Sequence, residues 1–304
     1  MIQNETIFSC RDFAEAWAKS MGDHLRPLAI PVQGSGPPRT MYAIQTPIHY
    51  WWRRVALAPC GLYWSPGWDG QLEPETLKAI VAKLQGVRIL GFDWAVRFDH
   101  EPLAVGLQSL GLEARRVPTH VLALQPDYEQ VFAGYNATMR NQVRKAHRLG
   151  VKLRNGVEEE DIKAFYRIYM GLTQQKPDFH LLFSLELFLH LFRNRAAMRL
   201  IMAEVEGEVV AGGVFLKDGS SVFYLMGASD RDYSNFFPIC AVIDEAIRWS
   251  GEIGASFLNF GSSGGREPLE RFKSFWGAKP EHDWRFKWEN PFWNRISRWK
   301  ARVT

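Results

Sequence analysis

Cysteine is scarce in this chain: Cys10, Cys60 and Cys240 are the only three in 304 residues. The count is odd and no two are closely spaced, which argues against a disulfide framework and fits a reducing compartment. No Cys-x-x-Cys, His-x-His or His-Glu-x-x-His spacing occurs among the three cysteines and eight histidines, so no metal site is expected. Long apolar runs are missing too. The most apolar stretch, residues 180–192, is broken by Ser184, Glu186 and His190, well short of a membrane span. The opening residues carry neither a basic segment nor an apolar one of the kind a secretory signal needs. The expectation is a soluble, cytoplasmic protein, with peripheral contact at the inner membrane face kept open by the tail discussed below.

Aromatic residues are plentiful: 20 Phe, 12 Trp and 9 Tyr bury far more surface than a disordered chain carries. The length suggests two domains, and a boundary is expected near residue 150. The net charge of +4 is too small to announce nucleic acid by itself.

The second half has the clearer pattern. Helices are expected over 158–175 and 184–194, then strands over 198–205, 208–217 and 221–228. Glu206-Gly207 and Asp218-Gly219 join these strands as tight turns, Asp-Gly between apolar runs being a strong hairpin signal. A helix over 236–251, a strand over 256–260, a Gly/Ser loop, a short helix near 269–275 and a strand near 284–288 follow. A meander with a crossover helix into another strand predicts a mixed sheet with helices packed on it, an α+β fold. The first half reads as a rougher version of the same order. It includes a Trp/Gly/Pro loop at 64–70, a helix opened by Pro74 and a buried strand at 87–93. A long helix over 127–149, closed by Gly150, ends it.

Four features suit chemistry. Between Arg140 and Arg154 stand six basic residues and no acid, and Arg140, Arg144 and Arg148 recur every four residues on one helical face. Met139, Val143 and Ala146 form the opposing apolar stripe. Arginine rows match phosphate in charge and geometry; a solvated helix face is the plainer alternative. The loop Gly261-Ser262-Ser263-Gly264-Gly265-Arg266 follows a strand, and its glycines let backbone approach a ligand; a plain strand exit reads equally well. Lys273, just beyond it, suits an oxyanion or ligand carboxylate, although spacing alone favours a surface lysine. Tyr224, in the third strand of the meander, suits proton donation to a leaving group; a hydrogen-bonded core tyrosine is commoner. The tail from 284 to 304 carries four Trp and six bases against Glu289 alone. It suits either an anionic membrane surface or packing back on the first domain, since Pro291 interrupts any long helix.

Two stretches carry a family resemblance. One is Met139-Arg-Asn-Gln-Val-Arg-Lys-Ala-His-Arg-Leu-Gly150-Val with a downstream Phe165-Tyr166. The other is Phe257-Leu-Asn-Phe-Gly261-Ser-Ser followed by Arg271-Phe-Lys-Ser-Phe-Trp-Gly277-Ala. Together, in this element order, they resemble the FemAB-like acyltransferases of the GNAT superfamily, including the BioF2-like relatives, over most of residues 125–290. The resemblance implies two tandem GNAT-like domains, residues 1–150 and 151–285, each a mixed, mostly antiparallel sheet flanked by helices, with residues 286–304 as a tail. It implies transfer of an acyl or aminoacyl group from acyl-CoA or aminoacyl-tRNA, used as co-substrate with no tightly bound cofactor. The acceptor would be an amine of a cell-envelope precursor or similar metabolite, phosphate-bearing or lipid-linked, with tRNA as a further partner.

The resemblance assigns Phe272 and Lys273 to the donor carbonyl; Tyr224, read from its place in the meander, would assist. Arg140, Arg144, Arg148, Asn259, Ser262 and Arg271 would bind substrate. The donor would sit where residues 221–228 and 256–260 splay apart, against the helix start at Asn235, Phe236, Phe237 and Ile239, a natural anion site. The sequence departs from the pattern twice. Asp232-Tyr-Ser-Asn-Phe-Phe-Pro stands in place of the GNAT pyrophosphate loop, and Asn259 replaces a frequent aspartate. Both departures also suit a non-catalytic module that binds a nucleotide-linked ligand.

Overall fold

The computed structural model describes residues 11–21, 25–32, 39–49, 52–57, 73–86, 88–175 and 183–292. Cys10, Cys60, His180, the loop at 64–70 and the tail beyond 292 lie outside the described residues. The chain divides into two compact units, residues 1–117 with 282–304, and residues 118–281.

The first unit opens with α1 (Arg11–Met21), β1 (Arg26–Val32), β2 (Arg39–His49), β3 (Trp52–Leu57), α2 (Pro74–Leu84), β4 (Ile89–Val96) and α3 (Glu101–Ser109). Pro74 stands at the start of α2, where its missing N–H costs nothing. Leu77, Ile80, Val81 and Leu84 then form its buried stripe. β4 is almost wholly buried, as a strand covered on both faces must be. Strands β1, β2 and β3 make an antiparallel meander, and β4 runs parallel to β3.

The chain then enters the second unit within β5 (Ala114–Ala123). There follow α4 (Tyr128–Gly134), α5 (Ala137–Arg148), β6 (Lys152–Asn155), α6 (Glu159–Gln175) and α7 (Leu185–Arg193). After these come β7 (Met198–Val205), β8 (Glu208–Asp218), β9 (Ser221–Ser229), α8 (Pro238–Glu252), β10 (Phe257–Asn259) and α9 (Glu267–Phe275). Its sheet runs β5-β10-β9-β8-β7-β6, antiparallel except for the parallel pair β9 and β10. Gly207 and Gly219 take positive φ at the two hairpin turns, where a side chain would be strained. Successive β8 glycines show how the helices divide between the faces. A Cβ on Gly212 would strike Phe165 of α6 at 2.8 Å, and one on Gly213 would meet Val242 of α8 at 3.0 Å. Alternation along the strand therefore sets α6 and α8 on opposite faces.

Finally, β11 (Lys279–Glu289) returns to the first unit, where residues 284–289 pair antiparallel with 91–96 of β4. Each unit is thus a mixed, mostly antiparallel sheet flanked by helices, as expected. Each contains a meander, a crossover helix and a parallel strand in the same order.

Two expectations need correction. The division falls within β5, not near residue 150. The reason is packing: Met139, Val143 and Ala146 of α5 are buried in one core with Ala241, Val242 and Ile243 of α8 and Leu122 of β5. The single helix expected over 127–149 is two, because Tyr135 is extended and Asn136 begins a new helix by accepting a hydrogen bond from Met139 N at 2.7 Å.

Candidate active site

In the second unit β9 and β10 are neighbours only briefly. Their register runs Ser221 to Phe257, Val222 to Leu258 and Phe223 to Asn259. There β10 ends, while β9 continues to Ser229. On the other side, β5 pairs with the same three residues, and Phe260 N still donates to His120 O at 2.9 Å. At the level where β9 and β10 part, three side chains therefore form a row across three strands: His120, Phe260 and Tyr224. Alternation places them on the face of Leu122, Leu258 and Val222, which is the core shared with α5, α8 and α9. Tyr224 stacks on Phe215 (5.1 Å) and meets Phe260 edge-on (6.0 Å).

Lys273 of α9 completes the group. It is 6% exposed, and its ammonium donates to the carbonyl of Gly261 at 2.7 Å. Gly261, with φ of 70°, turns the chain just after β10 and presents that carbonyl. The sequence spacing favoured a surface lysine, but Trp276, one turn on and fully buried, draws this face of α9 inward. Burial, and then the Arg266 charge, lower the Lys273 pKa to about 8. An ammonium in so little water is a strong electrostatic partner for negative charge that develops beside it.

Asn259 and Ser263 are also enclosed, at 1% and 2% exposure. Asn259 Oδ1 accepts from Thr119 Oγ1 (3.0 Å) and Gly261 N (2.7 Å). Its Nδ2 has no partner among the described residues, nor has Ser263 Oγ, nor Nδ1 of His120. Buried polar atoms are normally satisfied, and three such atoms lie on or next to the strand exit that holds Lys273. Gly261 to Gly265 also fits Gly-x-Ser-x-Gly spacing, but Ser263 keeps negative φ and lacks the strained turn of a nucleophile elbow.

The other expected residues are spread over several positions. Phe272 is half-buried against Trp276 (6.2 Å), and Arg271 is exposed, lying over Phe275 (5.4 Å). Ser262 is exposed and accepts from Gly264 N at 3.1 Å; it is the next residue, Ser263, that is enclosed. The arginine row is not uniform. Arg140 donates to the carbonyls of Ala133 (3.0 Å) and Tyr135, so it caps the end of α4 and is not presented outward. Arg144 lies over Phe132 (5.3 Å), and Arg148 is exposed.

The basic helix instead reaches the expected donor site through Lys145, whose ammonium lies 4.9 Å from the centre of the Phe237 ring. Phe237 takes left-handed φ (55°) as the residue before α8; Phe236 and Ile239 are half-buried and Asn235 is exposed. Cys240 donates to Gln142 Oε1 at 3.4 Å, and burial followed by the Asp244 charge pushes its thiol up to about 12, which leaves it unreactive. Asp244 accepts from Tyr128 (2.6 Å) and Tyr135 (3.1 Å) and fastens α4 to α8. Burial outweighs these bonds and raises the Asp244 pKa.

Residues 133–274, which hold Tyr224, Asn259 and Lys273 but neither Thr119 nor His120, match the acetyltransferase (GNAT) domain family. The match spans slightly less than half of the chain. The resemblance to FemAB-like proteins is borne out alongside it. Over 136 residues the chain is 22% identical to a UDP-N-acetylmuramoylpentapeptide-lysine N(6)-alanyltransferase of Weissella viridescens, covering 45% of this chain and 40% of that protein. The chain thus spans about two fifths of that curated relative's length. The fold is similar to the crystal structure of FemX, with a TM-score of 0.77 at 13% identity over 96% of this chain and 94% of that one. It is also similar to the C-terminal domain of a lysylphosphatidylglycerol synthetase from Agrobacterium fabrum. There the TM-score is 0.59 at 11% identity, over 92% and 87% of the two chains.

His120 is the residue of this row that sequence reading missed. It is a lone histidine with no spacing signal, and only the register of β5 against β10 brings it level with Tyr224. No helix among the described residues is long and apolar enough to cross a membrane.

Proposed function

We propose that this chain is an N-acyltransferase that moves an acyl or aminoacyl group to an amine of a cell-envelope precursor. The single observation that carries this is Lys273, enclosed behind parted strands with its ammonium on the Gly261 carbonyl. The acceptor amine attacks the donor carbonyl, and Lys273 stabilises the oxyanion that develops. Tyr224 meets Phe260, the residue before the Gly261 that Lys273 bonds. Burial raises the Tyr224 pKa, so the phenol holds its proton until a leaving oxygen takes it. Most of the rate would come from positioning.

The donor lies against the start of α8, where Lys145 adds positive charge beside backbone amides. An aminoacyl ester is the favoured donor, given the alanyltransferase likeness and the absence of the GNAT pyrophosphate loop. A muramoyl peptide lysine is the favoured acceptor; the lysylphosphatidylglycerol synthetase likeness adds as the alternative a lipid headgroup, whose hydroxyl would take the acyl group as an ester.

The test incubates the purified chain with labelled alanyl-tRNA or acetyl-CoA. Acceptors are a lysine-containing UDP-N-acetylmuramoyl pentapeptide and phosphatidylglycerol vesicles. Label should appear in the peptide as an amide, label in phosphatidylglycerol alone would replace the amine acceptor by a hydroxyl, and Lys273→Ala should lower the rate at least about tenfold. Absence of transfer from both donors to both acceptors would overturn the reading; unchanged turnover in the variant would remove Lys273 from it.

A further inference from the structure

A transfer to an amine releases a proton, and the residues assigned so far do not receive it. Lys273 is an ammonium bound to a carbonyl, and Tyr224 is a phenol that gives a proton away. The basic and acidic groups elsewhere in the core are committed: Asp244 to two phenols, and Cys240 to Gln142. One polar side chain on the same face is not. His120 is 7% exposed, and its Nδ1 has no partner among the described residues. An ordinary core histidine donates one ring nitrogen to a carbonyl or carboxylate, which fixes its tautomer. Its backbone carbonyl, by contrast, is held by Phe260 N, so β5 and β10 fix where the ring stands.

We propose that His120 is the group that accepts the proton of the acceptor amine as the amide forms. This deepens the transferase reading above and rests on it. The amine nitrogen bonds to the donor carbonyl carbon, and the bond from that carbon to the ester oxygen (or thioester sulfur) breaks. The N–H proton passes to the imidazole. The leaving oxygen takes a proton from Tyr224; the imidazolium then gives its proton to solvent and the phenolate regains one from it, so every group ends as it began. The charged neighbours suit this role. Burial, and then Lys273 across from it on α9, lower the His120 pKa, while Glu270 of the same helix opposes them. The ring therefore stands neutral near pH 7, ready to take a proton. Its later charge beside Lys273 is transient and favours prompt release.

The experiment compares wild type, His120→Gln and His120→Asn. Alanyl-tRNA and acetyl-CoA are the donors, with the muramoyl pentapeptide and, separately, hydroxylamine as acceptors. Hydroxylamine is largely unprotonated at neutral pH and a strong nucleophile, so it needs little help from a base. The variants should transfer to the peptide about 100-fold more slowly, lose the acidic limb of the kcat/KM profile, and keep wild-type rates with hydroxylamine. Equal losses with both acceptors, or an unchanged profile, would overturn the proposal. Should both variants unfold, 15N spectra of the histidine-labelled wild type decide the matter. The His120 ring must titrate at the pH of the acidic limb, and a ring that titrates elsewhere refutes its role. A wild type silent toward both of these acceptors and toward the phosphatidylglycerol vesicles refutes the transferase reading itself. Failure of His120 alone leaves the wild type active.

Discussion

Replacing Lys273 by Met separates what the fold needs from what the chemistry needs. The two side chains have similar length, and Met carries no charge. A lysine held near pKa 8 against an ordinary 10.5 means that folding disfavours the ammonium by about 3 kcal/mol below pH 8. Met removes that cost but gives up the bond to the Gly261 carbonyl, a loss of about 1 kcal/mol. The variant should therefore gain about 2 kcal/mol at pH 7, or about 4–8 °C in Tm for a unit of this size, while transfer falls at least about tenfold.

The sign with pH is also determined. Between pH 8 and 10.5 the unfolded chain holds the Lys273 proton that the folded chain has shed. Wild-type stability should therefore rise with pH across that window relative to Lys273→Met. By pH 10.5 the advantage of the variant should have vanished. Urea unfolding of both proteins at pH 7, 9 and 10.5 measures this. A variant less stable than wild type at pH 7, or a difference that does not change with pH, would refute the burial and charge argument for this residue.

Two further outcomes follow from packing and polar contacts. Gly277 has φ of 81°, and a Cβ there would stand 3.0 Å from the carbonyl of Gly134; Gly277→Ala should cost about 1–2 kcal/mol in denaturant unfolding. Asp161 accepts from Val157 N (2.7 Å) and Glu158 N (3.0 Å) and pairs with Arg154 (2.8 Å). Burial opposes its ionisation, but these bonds prevail and lower its pKa below 3.8. Its contribution should be complete above about pH 4 and lost as pH falls through the folded value. Asp161→Asn should cost about 1–3 kcal/mol at pH 7 and converge with wild type in acid.

The parts of this protein legible from sequence are those written locally. Glu206-Gly207 and Asp218-Gly219 marked both hairpins, and β7, β8 and β9 fall within a residue of the ranges their apolar runs suggested. The break between α4 and α5 was missed because neither Tyr135 nor Asn136 is a strong breaker. The Asn136 cap sets the break, and across it Arg140 reaches the Ala133 carbonyl, which removes Arg140 from the outward arginine row. The candidate site was legible only in fragments. Lys273 looks like a surface residue until Trp276 is known to be buried. Asn259 bonds to Thr119, 140 residues away, and His120 gains meaning only through strand register. Local pattern carries no record of such distances.

The return of the last strand to the first unit has a consequence for how the chain is made. Glu289 meets Arg54 across 235 residues, so the sheet begun by β1 waits for β11 until the whole of the second unit has been made. The intervening unit, contiguous from 118 to 281, is free to fold first and to draw the two distant segments toward each other, shortening the loop that must close. A synthesis arrested shortly before β11 would leave the unpaired edge of β4 exposed, which makes the nascent protein vulnerable to aggregation at that stage.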